Sequence, residues 1–178
     1  KSIGKVAGII VPLMCGVYVL AGLYILLTHA GQVPDAFGVI LSEAFATDSV
    51  YGGLIGALIQ GFRRAAFSNE AGVGSASIAH SAAATDEPVR EGVVALLEPF
   101  IDTIIVCTMT GLVVVITGAY QMDNTAGAAL VGVEMTTAAF GSVISWFPLI
   151  LTFAVFFFAF STMISWSYYG ERCAIYLF

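Results

Sequence analysis

Residues Val6 to Thr28 run for 23 positions without a single charged side chain. As a helix that run reaches about 35 Å at 1.5 Å per residue, enough to cross a hydrocarbon core of about 30 Å. A backbone inside lipid must satisfy its polar groups internally, so a helical membrane chain is expected. Composition agrees, with 59% hydrophobic and only 10% charged residues, where soluble domains carry about 25% charged. Lys1 and Lys5 precede the run, and Pro12 in its first half predicts a kink. Gly4 and Gly8 form a GxxxG pair that can admit a neighbouring helix, a pattern equally met by chance.

Three further apolar runs follow. The second crossing is expected over about 50–66 and is short. Val50 to Phe62 reaches only about 20 Å, and Arg63 and Arg64 stop it. Either it is half of a discontinuous helix continued by 65–82, or a full crossing that tolerates an arginine in a wet cavity. The third run is about 92–118, with Glu98 and Asp102 inside it, and the fourth about 144–169, ended by Glu171 and Arg172. Outer interfacial helices are expected at about 35–46 and 126–140, stretches with acidic residues but no Lys or Arg. The basic residues fall at 1, 5, 63, 64, 90 and 172, in every other connection. The positive-inside rule then places both ends and the middle loop in the cytoplasm, with four crossings.

The formal net charge of −6 speaks against nucleic acid as a partner, since phosphate binding needs clustered Lys and Arg. Cys15, Cys107 and Cys173 are far apart with no CxxC, and His29 and His80 share no ligand spacing. Neither a metal cluster nor a disulfide framework is expected. The first run is too long for a secretory signal and has no small-residue cleavage site. No GxSxG, HExxH, P-loop or GxGxxG pattern is present, so enzyme catalysis has no support. The start at Lys1 is compatible with a fragment of a longer protein.

Two helical stripes carry chemistry. Ser161, Thr162, Ser165, Trp166 and Tyr169 recur at steps of three and four on the fourth run. Hydroxyl oxygens suit Na⁺, and the Phe158 carbonyl one turn earlier joins Ser161 and Thr162 in one small oxygen cage. The alternative is that the hydroxyls bond their own i−4 carbonyls and only glue helices together. Glu98 and Asp102, four apart, face one side of the third run, where intramembrane carboxylates mark ion or proton pathways. The alternative is that a helix starts at Glu98-Pro99 with Asp102 as its cap. The polar, small-residue stretch 61–85 lies between apolar runs, which is where secondary transporters place broken helices and their sites. Within it Ser68, Asn69, Glu70, Gly72 and Gly74 can form a turn presenting backbone groups to an ion or zwitterion, or a plain loop.

The string Phe67-Ser68-Asn69-Glu70-Ala71-Gly72, with Gly74-Ser75-Ala76 and Ile78-Ala79-His80, resembles the signature of the alanine/glycine:cation symporters, the sodium:alanine symporter family. Asp102-Thr103 with Cys107-Thr108, Phe158 to Thr162, and Trp166 to Glu171 agree with its later helices. Ala65 and Ser77 depart from it, standing where the family usually has Gly and Pro. The resemblance implies a piece of a longer transporter with a leucine-transporter-like fold of inverted helical repeats, this chain giving the fifth to eighth helices. It implies Na⁺-coupled uptake of alanine or glycine through the cytoplasmic membrane of a prokaryote, with earlier helices supplying the rest of the site. It implies Na⁺ ligands at Phe158, Ser161 and Thr162. It also implies substrate contacts at Thr162 and Trp166, unwinding at Gly52, Gly53 and Gly56, and a gate at Phe67. Ser68, Asn69, Glu70 and Asp102 are structural or gating candidates. Two readings stay open beside this one: a proton-coupled transporter with Asp102 or Glu98 titrating, and a non-transporting helix-bundle or channel subunit.

Overall fold

The computed structural model describes residues 2–45, 53–68, 70, 72–124 and 127–178. Among them the chain is helical throughout, with one isolated antiparallel bridge between Asp123 and Ala129. Among the described residues three helices are long and apolar enough to cross a membrane: Gly8–Thr28, Pro88–Ile116 and Phe147–Leu177. Large apolar side chains along them stay exposed, Leu20, Leu27, Ile104 and Phe156 among them. Surface of that kind needs lipid or further protein against it.

Helix α1 (Ser2–Thr28) continues through Pro12. Helix α2 (Val33–Phe45) sits close to the expected outer segment, with Asp35 in its first turn. Helix α3 (Leu54–Ser68) is the second expected crossing, but its 15 residues reach only about 22 Å and contain Arg63 and Arg64. The short α4 (Ser75–His80) follows a turn. The third run begins earlier than expected, at Pro88, the first residue of α5 (Pro88–Ala95). Proline suits that position because its missing N–H would have had no helical partner. The rod then passes through α6 (Leu97–Pro99), an eight-residue π-helical stretch, Phe100–Cys107, and α7 (Thr108–Ile116). No helix therefore starts at Glu98-Pro99, and Asp102 is not its cap. Pro99 cannot donate to the carbonyl four residues back and its ring crowds it, and the wider π register follows at once.

Helix α8 (Val133–Val143) starts later than the expected 126–140 segment. Gly127 and Gly132 take left-handed backbone, and Asn124 Oδ1 accepts the Ala128 N–H at 3.0 Å, which holds a hairpin-like turn where helix was expected. Helix α9 (Phe147–Leu177) continues past Glu171 and Arg172. Those charges end an apolar run but not a helix, and the Arg172 guanidinium lies 5.0 Å over the Tyr168 ring one turn back.

Two compact units are present. One comprises Lys1–Phe37 and Thr108–Ile164, the other Gly38–Cys107 and Ser165–Phe178. The first has a buried core of Ile25, Val113, Ala119, Ala139, Phe140, Phe147 and Leu151. Tyr18, Phe140 and Phe147 stack in a column with centroids 5.0 Å apart at each step. Such contacts add about 0.5–1.5 kcal/mol each beyond area burial. The Tyr18 and Thr110 hydroxyls share a 2.6 Å hydrogen bond that ties α1 to α7. Nothing approaches Gly8, so the close helix contacts lie elsewhere: Gly22 against Met109, and Gly141 against Pro148.

Those two glycines give a stability test. A Cβ at Gly141 would stand 2.7 Å from the Pro148 Cγ, part of a rigid ring. A Cβ at Gly22 would meet the Met109 Sδ at 2.5 Å, but that side chain is unbranched and can swing. Gly141→Ala should destabilise by about 1–3 kcal/mol, the usual cost of overpacking. Gly22→Ala should come closer to neutral, helped by a propensity gain of about 1 kcal/mol. Thermal unfolding in detergent should place Gly141→Ala clearly below both the parent and Gly22→Ala.

Candidate functional site

On α9 the Thr162 Oγ1 donates to the Phe158 carbonyl at 2.8 Å and the Ser161 Oγ donates to the same oxygen at 3.0 Å. Three oxygens are thus gathered within one turn, and the bonds are the local back-bonds weighed from the spacing. A hydroxyl that has given away its proton still carries two acceptor lone pairs, so back-bonding and cation binding do not exclude each other. The donors are hard, neutral oxygens, the chemistry that an alkali cation takes. Trp166, one turn beyond Thr162, is partly exposed and meets Tyr169 edge-on at 5.8 Å.

The second unit holds the broken stretch. Left-handed backbone occurs at Glu70, Gly72 and Gly74, between α3 and α4. For Glu70, at φ 54°, that conformation is costly, since only glycine adopts it freely. Gly53 lies in the turn before α3, and Gly56 lies inside α3 with open space where its Cβ would stand. Of the other candidates, Gly52 and Asn69 lie outside the described residues. Phe67 and Ser68 close α3, with their side chains outside the description. Asp102 sits in the first turn of the π-helical stretch, half buried.

Two residues went unnoticed as candidates from sequence. Ser75 at the start of α4 is buried, and its hydroxyl finds no partner. His80, the last residue of α4, places Nδ1 2.7 Å from Glu91 Oε1 and Nε2 3.6 Å from Glu98 Oε2. The hydrogen bond to Glu91, reinforced by Glu98, holds the imidazole pKa above its ordinary value. The readable signal was the seven-residue step from Glu91 to Glu98, two helical turns that put both carboxylates on one face. Glu98 therefore meets a histidine. Glu70 and Glu98 also bear on the Tyr169 hydroxyl.

The profile of the sodium:alanine symporter family matches residues 1–178. The chain belongs to that family. It is 48% identical over 178 residues to the sodium/alanine symporter AgcS of Methanococcus maripaludis, covering 99% of this chain and 39% of that protein. It is 35% identical to the sodium/proton-dependent alanine carrier protein of Bacillus sp. strain PS3, covering 99% of this chain and 42% of the relative. It is also 35% identical to the probable sodium/glutamine symporter GlnT of Bacillus subtilis, covering 96% of this chain and 35% of the relative. The chain thus spans about two fifths of the length of these relatives. The family and these relatives are transporters and not enzymes, and the apolar helices fit a membrane protein.

Ser75 supplies a prediction. A buried hydroxyl without a partner costs about 1–3 kcal/mol relative to a satisfied one. Ser75→Ala removes that cost, so unfolding in detergent should be unchanged or shifted upward. A clear fall in stability would mean that the hydroxyl has a partner in the intact protein.

Proposed function

We propose that this chain is part of a Na⁺-coupled symporter of small neutral amino acids, working by alternating access in the cytoplasmic membrane of a prokaryote. The observation that carries the reading is the oxygen group on α9, where Phe158, Ser161 and Thr162 converge at 2.8 and 3.0 Å. Na⁺ would supply the coupling charge, and its remaining ligands would come from elsewhere in the intact protein. Trp166 would wall the amino-acid pocket beside Thr162. Gly52, Gly53 and Gly56 would give the substrate backbone to approach, and Phe67 would gate it. Ser68, Asn69, Glu70 and Asp102 would support the moving parts. The fold proposed for the whole protein is leucine-transporter-like, with the basic residues on the cytoplasmic side. Relatives named for sodium/alanine and for sodium/proton-dependent alanine transport support the substrate class.

A proton-coupled version of the same transporter is the second reading. The relatives named sodium/proton-dependent favour it, as does Glu98 lying beside a histidine. Uptake of labelled alanine into proteoliposomes under an imposed Na⁺ gradient, a proton gradient, or neither separates the two. Uptake driven by the Na⁺ gradient alone supports the first reading, and uptake driven by the proton gradient alone overturns it. Family membership weighs against a non-transporting subunit.

Thr162→Val keeps shape and removes one oxygen. Losing a contact to a charged group costs about 1.5–3 kcal/mol, so the Na⁺ concentration for half-maximal uptake should rise about ten-fold or more. Ser142→Ala is the matched control, because Ser142 makes the same kind of back-bond, to Ala139 at 2.8 Å, away from the stripe. Equal effects would reduce the stripe to packing.

Trp166→Ala should admit larger neutral amino acids. One methylene changes binding by about 1–3 kcal/mol, so even a partial wall selects. Competition of leucine and methionine against alanine uptake reads this out. Unchanged rejection of leucine by a folded, active variant would place the wall elsewhere.

A further inference from the structure

His80 links α4 to the rod that begins at Pro88 by a side-chain hydrogen bond to Glu91. Its geometry has a requirement built in. Nδ1 faces one carboxylate at 2.7 Å and Nε2 faces another at 3.6 Å. A neutral imidazole has one N–H and turns a lone pair toward the second carboxylate; only the imidazolium donates from both nitrogens. The arrangement is therefore complete only when a proton is bound. Charged groups nearby do not satisfy it otherwise. Arg90, beside Glu91 on α5, turns to Glu87 at 3.3 Å. Glu98 on α6 shares its field with Tyr169 on α9, which Glu70 also reaches. The histidine is about a quarter exposed, at 27%, so water can bring and remove the proton.

The position matters as much as the chemistry. His80 ends α4, and α4 follows directly on the left-handed turn through Glu70, Gly72 and Gly74. Backbone of that kind is held only where its surroundings over-determine it. A contact that fixes the far end of a six-residue helix thus restrains the irregular stretch before it.

We propose that His80, Glu91 and Glu98 form a proton-binding clasp which, when closed, fixes α4 and the 70–74 turn against the start of the Pro88–Ile116 rod, and whose opening sets the transport rate according to pH at that face of the membrane. The regulatory half of this rests on the transport reading above; the proton site does not. Because the carboxylates raise the His80 pKa above its ordinary value, the clasp is at full strength below that ordinary value. It is lost as pH rises through the raised one.

The test uses the intact protein. With ¹⁵N-histidine labelling in nanodiscs, His80 should show both ring nitrogens protonated below the ordinary histidine pKa. Its titration midpoint should lie above that of free histidine. Glu91→Gln should lower the midpoint most and Glu98→Gln less, in the order of their contributions. A midpoint at or below that of free histidine, or one indifferent to Glu91→Gln, overturns the proton site. In proteoliposomes at saturating Na⁺, alanine uptake should change several-fold as pH on the His80 side crosses that midpoint. His80→Gln, which keeps a hydrogen bond but cannot take the charge, should flatten the profile. A pH profile unchanged in His80→Gln overturns the regulatory half. Absence of any alanine uptake together with a normal His80 titration counts against the substrate reading alone.

Discussion

In hydrocarbon a backbone N–H or C=O has no water to turn to, and this constraint organises the chain. Long stretches obey it with unbroken helix, as α1 and α9 do. Departures from regular helix are therefore costly and localised. One is the left-handed turn at Glu70, Gly72 and Gly74, and another is the π-helical stretch Phe100–Cys107. Both lie in the second unit and both carry carboxylates, Glu70 in the first and Asp102 in the second. An irregular backbone and a charged side chain are each unfavourable in lipid, and their coincidence argues for wet or protein-lined surroundings.

The apolar runs were legible because length and lack of charge are properties of sequence alone. So was the α9 stripe, because a helix without breaks keeps the 3.6-residue period that places Ser161 and Thr162 one turn from Phe158. The residues at the ends of elements were harder to place. The 126–140 helix begins at Val133 because turn chemistry at Asn124, Gly127 and Gly132 outweighs the apolar pattern. The rod starts at Pro88 and not near Glu98, because an interior proline can be absorbed by a wider helix. Of the His80 contacts only the shared face of Glu91 and Glu98 was legible, and not the histidine that meets them. The contacts depend on α4 folding back over a seven-residue linker, which no periodicity encodes.

The same comparison changes how the α9 hydroxyls are read. From spacing, back-bonding and ion binding looked like rivals. The geometry makes them compatible, since the bond to the Phe158 carbonyl uses the hydroxyl proton and orients the oxygen. A side chain fixed in this way loses less rotamer freedom when a ligand arrives. Back-bonding of two adjacent residues to one carbonyl also concentrates three oxygens in a small volume without any charge.

The distribution of charge then separates two kinds of site by their chemistry. The α9 oxygens of Phe158, Ser161 and Thr162 carry no titratable group. One cluster of titratable groups lies between α4 and the start of the rod, where His80 sits between Glu91 and Glu98. Histidine suits that place better than lysine would. A lysine ammonium keeps its proton across physiological pH and would hold α4 permanently, whereas an imidazole, even with its pKa raised by two carboxylates, is the side chain whose ordinary titration lies nearest that range. Arg90 with Glu87 is an exposed ion pair, whereas the His80 bridge closes the short helix that follows the left-handed backbone at Glu70, Gly72 and Gly74.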